Sequence, residues 1–210
     1  MKKQTWVKIP FLTALMAILC LIPSLGLAQN NPEETPAATS DSLNADQIEQ
    51  AAAEKYAKAK VVYDQVIAIQ LYDPAIKDIN LWQQQKLQEK FQLLEKAIPA
   101  FIEVIDVGPS KYAIFSIVRM GMMYQDISDK LAQVPPPPDV DKEVAKAYHE
   151  TLKDYRSQFA TKAIGLYLQA LEVQKENHIE VPETMITDVN QRLAVLQKDF
   201  KLEIKPAENR

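Results

Sequence analysis

Residues 110–131 read SKYAIFSIVRMGMMYQDISDKL, and this stretch decides the fold. Ala113, Ile117, Met120, Tyr124, Ile127 and Leu131 recur at spacings of four and three, which puts them on one seam of an α-helix. Ile114, Phe115, Val118, Met122 and Met123 make much of the remaining surface apolar as well. A helix that is apolar on more than one face is packed between neighbours or offers a binding surface. Gly121 sits in its middle, where glycine costs about 1 kcal/mol relative to alanine, so another helix is expected to pass closely there.

The helix has clear punctuation on both sides. Upstream, Gly108-Pro109-Ser110 supplies a glycine that tolerates left-handed backbone, a residue that cannot continue a helix, and an N-cap serine. Downstream, Val134 and the run Pro135–Pro138 form a stiff boundary. Helical spacing continues outward in both directions. A first helix is expected from the N-cap Asn44, with Gln47 completing a capping box, to about Leu71. A second covers about Leu81–Val107 and is expected to bend or break at Pro99, which removes one hydrogen bond. After the prolines, apolar positions run from Val144 to Val173. A single straight helix there would be on the order of 50 Å long, so a break or kink is expected near Arg156-Ser157. A last helix is expected over Glu183–Phe200. Only three glycines follow residue 28 and no segment alternates with period two, so the fold class is all-α.

A small–aromatic–small spacing occurs three times: Ala59, Tyr63 and Val66; Ala97, Phe101 and Val104; Ala163, Tyr167 and Ala170. The alanines are 38 and then 66 residues apart, and the second interval is close to two periods of about 33. That period belongs to stacked helical hairpins, in which small residues let helices touch. The 111–124 helix, with Ile117, Met120-Gly121 and Tyr124, and the helix with Ala163, Tyr167 and Ala170 resemble the two halves of a tetratricopeptide repeat. The long pairing after a Pro-rich turn resembles exported tetratricopeptide proteins of Gram-negative bacteria. One departure stands out: the halves are separated here by the proline run and residues 139–156. The resemblance implies a right-handed solenoid that binds a protein or peptide, with Phe115, Val118, Met122 and Gln125 on its concave face.

Lys2, Lys3 and Lys8, an apolar run from Ile9 to Ile22, and Gly26-Leu27-Ala28 have the layout of a secretory signal peptide. Cleavage is expected between Ala28 and Gln29, and the periplasm is the expected location. Leu19 and Ile18 precede Cys20, where lipoprotein sites favour small residues, so Cys20 is read as part of the leader. Residues 29–44 are expected to be a disordered linker, 45–204 one helical domain, and 205–210 a flexible tail. Without its leader the chain carries 21 basic and 28 acidic residues and no basic stripe, which argues against nucleic acid.

Catalytic chemistry finds little support. His149 and His178 are isolated, and three scattered glycines cannot form a phosphate-binding loop. No metal and no cofactor is expected. Asp126 and Asp129, and Asp139 and Asp141, read as solvated helix ends or turns, and the charge run Lys86–Lys90 as a solvated face. The expected role is a non-enzymatic scaffold holding a partner in an envelope complex. The alternatives are a structural or self-associating spacer and, third, a helical enzyme or ligand-binding bundle.

Overall fold

The computed structural model describes residues 44–76 and 79–201. The expected leader, its cleavage site at Ala28 and Gln29, the linker up to Leu43 and the tail 205–210 lie outside the described residues. The described residues are all-α, with five helices and no strand: α1 Ala45–Ala68, α2 Ile79–Ile105, α3 Lys111–Leu131, α4 Lys142–Glu176 and α5 Glu183–Phe200.

Local sequence accounts for most of the ends. Asn44 Oδ1 accepts from the Gln47 amide and Gln47 Oε1 accepts from the Asn44 amide, both at 2.9 Å, so two orphan donors of α1 satisfy each other's residues. Ser110 caps α3 by accepting from the Ala113 amide, and Asp141 caps α4 by accepting from Val144. Gly108 has φ +136°, a conformation closed to other residues at low cost.

Two expectations fail. α2 runs unbroken through Pro99, which lies at an exposed position, so the expected break there is absent. α4 is one helix of 35 residues with no break at Arg156-Ser157. Its apolar positions Tyr148, Leu152, Tyr155, Phe159, Ala163 and Tyr167 stay buried on a single side throughout. Arg156 is clamped to α3 as well: its Nε donates to the Ser128 carbonyl, and its own carbonyl accepts from Ser128 Oγ.

The pairings between helices set their directions. Lys90 on α2 reaches the end of α1 while Glu103 reaches Lys55 near its start, so α1 and α2 are antiparallel. Lys111 pairs with Glu49 and Lys130 bonds the Ile67 carbonyl, so α3 runs parallel to α1. α3 and α4 are antiparallel, with Ser128 at Arg156 and Gln125 at Tyr167. Arg192 on α5 reaches Gln125 on α3, and Phe159 on α4 meets Phe91 on α2 with ring centroids 6.0 Å apart. Helix α3 is the hub, since 14 of its 21 residues are buried and it touches α1, α2 and α4 extensively.

A charged joint closes the first three helices. Lys90, read from sequence as part of a solvated face, is fully buried. Its Nζ donates to the Val66 and Ile69 carbonyls and lies 2.7 Å from Asp126 Oδ2. Lys130 Nζ lies 3.0 Å from the other oxygen of Asp126 and donates to the Ile67 carbonyl. Asp126 is therefore no solvated helix end, and two lysines from other helices cap the C-terminus of α1, where cations are favoured. Burial pushes the Lys90 ammonium down to about 8, against the opposing pull of Asp126, so it keeps its charge at neutral pH.

Two predictions follow from the packing. At Gly121 an added Cβ would lie 2.7 Å from Tyr167 Cε1, in the ring of a fully buried side chain, whereas at Gly165 it would meet nothing within 4 Å. Gly121→Ala should lower stability by about 1–3 kcal/mol because overpacking outweighs propensity, and Gly165→Ala should raise it by up to about 1 kcal/mol. Denaturant unfolding checks both signs. Asp126→Ala leaves two largely buried lysines without their anion and should cost about 3 kcal/mol. Glu103→Ala removes only an exposed partner and should stay within about 0.5 kcal/mol in the same measurement.

Candidate partner-binding face

Helices α1 and α3 lie side by side and parallel, and their shared edge carries aromatic side chains that are only half buried. Tyr56 from α1 and Tyr112 and Phe115 from α3 meet there, with centroid separations of 5.5–5.9 Å. Beneath them lie the buried Phe101, 6.0 Å from Tyr56, and Tyr63, packed edge-on against Phe101 at 6.4 Å. The spacing explains the grouping. Tyr56 and Tyr63 are two turns apart on α1, and Phe115, Arg119 and Met122 follow one another at four and three on α3.

Arg119 lies across this edge. Its guanidinium carbon sits 4.7 Å from the centre of the Tyr63 ring. Nε donates to the Tyr56 hydroxyl at 3.3 Å and Nη1 to the Tyr63 hydroxyl at 3.2 Å. Nη1 also lies 3.6 Å from Met122 Sδ, which in turn faces the Tyr63 hydroxyl. The side chain is thus held in one orientation by three neighbours.

The four residues expected on the concave face divide evenly. Phe115 and Met122 are half open, with Phe115 against Tyr56 and Met122 against Arg119. Val118 is 5% exposed and Gln125 8%, so neither is open. Gln125 is committed internally: its Oε1 accepts from the Tyr167 hydroxyl at 2.8 Å and from Arg192 Nη1 at 3.3 Å. Burial pushes the Tyr167 hydroxyl well above its ordinary range, so it remains a donor to Gln125. Val118 packs into the core.

Among the packing residues, Ala59, Ala97, Ala163 and Ala170 are all buried, as are Tyr63, Phe101 and Gly121. Gly121 lies under Tyr167. Tyr124 stacks on Phe159 with centroids 6.5 Å apart and planes inclined by 22°. Sequence reasoning missed Arg119 and Tyr112. Arg119 falls on the same helical stripe as Phe115 and Met122, and that register was the available signal. No group of three or more His, Cys, Asp or Glu side chains among the described residues could hold a metal ion. No helix among them is long and apolar enough to cross a membrane.

Comparison with protein-family models, with curated proteins and with solved structures finds no match to this chain.

The division between open and closed positions can be measured. Val118→Ser places a hydroxyl in the core and should cost about 1–3 kcal/mol, whereas Met122→Ser, at the half-open edge, should cost less than Val118→Ser by denaturant titration.

Proposed function

We propose that this chain is a non-enzymatic helical-repeat scaffold of the cell envelope, holding a partner protein or peptide against the α1–α3 edge. The observation that carries the reading is the half-open group Tyr56, Tyr112, Phe115 and Met122 on two parallel helices. Aromatic and methionine side chains left open on a rigid support are the usual anchors of a docking surface.

The pairing of helices supports a stacked-hairpin, tetratricopeptide-like solenoid. α1 touches α3, α3 reaches α5 through Gln125 and Arg192, and α2 meets α4 through Phe91 and Phe159. Links between every second helix are what successive hairpins make when they stack. Export rests on the leader-like residues 1–28, and N-terminal sequencing of the mature protein tests it: a chain beginning at Gln29 is expected, and one beginning at Met1 would overturn it.

A spacer that stacks on copies of itself is the second reading. It is favoured by Val61 on the first helix and Val195 on the last, large apolar side chains that are 60% and 52% exposed. Photocrosslinking residues placed at Phe115, Met122, Val61 and Val195 in the native host separate the two. Adducts to a different protein from Phe115 and Met122 are expected. Adducts of twice the chain mass from Val61 and Val195 alone would replace the scaffold with the spacer.

A further inference from the structure

We infer that Arg119 is the anchor for a single carboxylate, carried by an aromatic-flanked acidic segment of the partner. The inference rests on the proposed docking edge and names what that edge recognises. Arg119 is half buried, and none of the ion pairs among the described residues includes it. Its neighbours are the hydroxyls of Tyr56 and Tyr63 and the sulfur of Met122, all formally neutral, and they occupy Nε and Nη1. No hydrogen bond among the described residues uses Nη2. A guanidinium has five N–H donors in a planar fork suited to carboxylates, so both donors on Nη2 remain for a ligand.

The contrast with other cations of the first three helices is what gives the residue meaning. Lys55 pairs with Glu103 at 3.1 Å and Lys111 with Glu49 at 2.7 Å. The buried Lys90 has Asp126 and two carbonyls. Arg119 alone of these is desolvated without an anion, which is costly unless another molecule supplies one. Its orientation is already fixed by Tyr56 and Tyr63, so little side-chain freedom is left to lose on binding.

The charge count selects the ligand. One unpaired cation balances one negative charge, and the adjacent lysines are committed elsewhere. A phosphate dianion would therefore be left half-neutralised, and a carboxylate is the matched group. Phe115 and Tyr112 are half open and pack on Tyr56, whose hydroxyl accepts from Arg119, so they are the aromatic groups available to the residues flanking that carboxylate.

The test is a side-chain NMR titration of the purified chain. Only four arginines occur, Arg119, Arg156, Arg192 and Arg210, so one substitution assigns the Arg119 Nε–H signal. The probes are acetyl-Phe-Glu-Phe-amide, its neutral Gln counterpart, and the Gln peptide with a free C-terminus. The Glu peptide should shift the Arg119 signal and bind about tenfold more tightly than the amidated Gln peptide, with the gap closing at high salt. Arg119→Gln should erase the gap and Arg119→Lys restore part of it. A shift with the free-acid Gln peptide matching the Glu peptide would show that a chain terminus serves equally. Equal binding of the amidated Gln and Glu peptides would overturn the carboxylate anchor and leave the docking edge standing. A motionless Arg119 signal with every peptide at millimolar concentration would also overturn the anchor, while crosslinking from Phe115 and Met122 judges the edge separately. The salt and peptide comparisons use the unsubstituted chain, so they decide the matter even where a variant fails to fold.

Discussion

The C-terminus of α1 is the point on which the arrangement depends. Its chain leaves the helix at Ile69 in an extended conformation, with no glycine to fold the last carbonyls back onto amides. The carbonyls of Val66, Ile67 and Ile69 then need donors, and each buried acceptor left empty would cost about 1–3 kcal/mol. Lys90 and Lys130 supply those donors from two different helices, and Asp126 holds both ammonium groups. A local glycine cap would have satisfied the Val66 and Ile67 carbonyls without specifying any tertiary neighbour. Using lysines from α2 and α3 converts the end of one helix into a lock among three. The long aliphatic stems suit the task, since they pack against apolar surface while the charge reaches the carbonyls.

A second joint lies five residues away on the same helix. Gly121 lets the Tyr167 ring lie against the α3 backbone, and the ring's hydroxyl is then placed to bond Gln125. Gln125 also receives Arg192 from α5, so α4 and α5 are both referred to the same short stretch of α3. Residues 121–130 thus carry contacts to all four other helices. This explains why that stretch of α3 tolerates a glycine, a serine and a lysine at buried positions. Each is there for a neighbour: Ser128 for Arg156, Lys130 for the end of α1, Gly121 for a ring.

How far the sequence carries can be judged from the same residues. Periodicity placed five helices because apolar spacing is a property of each helix alone, and the caps at Asn44 and Ser110 are local chemistry visible within three or four residues. The two failures in helix continuity are tertiary. Whether Pro99 interrupts α2 depends on the exposure of its position, and the continuity of α4 past Arg156 goes with bonds to Ser128, twenty-eight residues earlier. Lys90 failed for a related reason: a lysine among Lys86, Gln88 and Glu89 looks solvated until the end of another helix is known to lie over it. At the candidate site, Phe115 and Met122 were legible from helical register. Val118 and Gln125 share that face of the helix, but α4 and α5 supply Gln125's bonding partners, which no single-helix pattern contains.

Lys90 and Arg119 show how one protein handles two desolvated cations in opposite ways. At Lys90 every direction is answered, by carbonyls and a carboxylate, and the group is closed to solvent; it has the character of a structural bolt. At Arg119 the answering groups are hydroxyls and a thioether, which orient the guanidinium without neutralising it, and one edge stays available. Stability alone gives no reason for the second arrangement, because a leucine or methionine would fill the same edge without the cost of an unpaired charge. The aromatic residues show both conditions: Tyr63 and Phe101 are covered, and Tyr56, Tyr112 and Phe115 are half open. On the proposed reading, the fixed cation among half-open rings is the feature organised around a partner, and the sign of that charge sets what the partner group would carry.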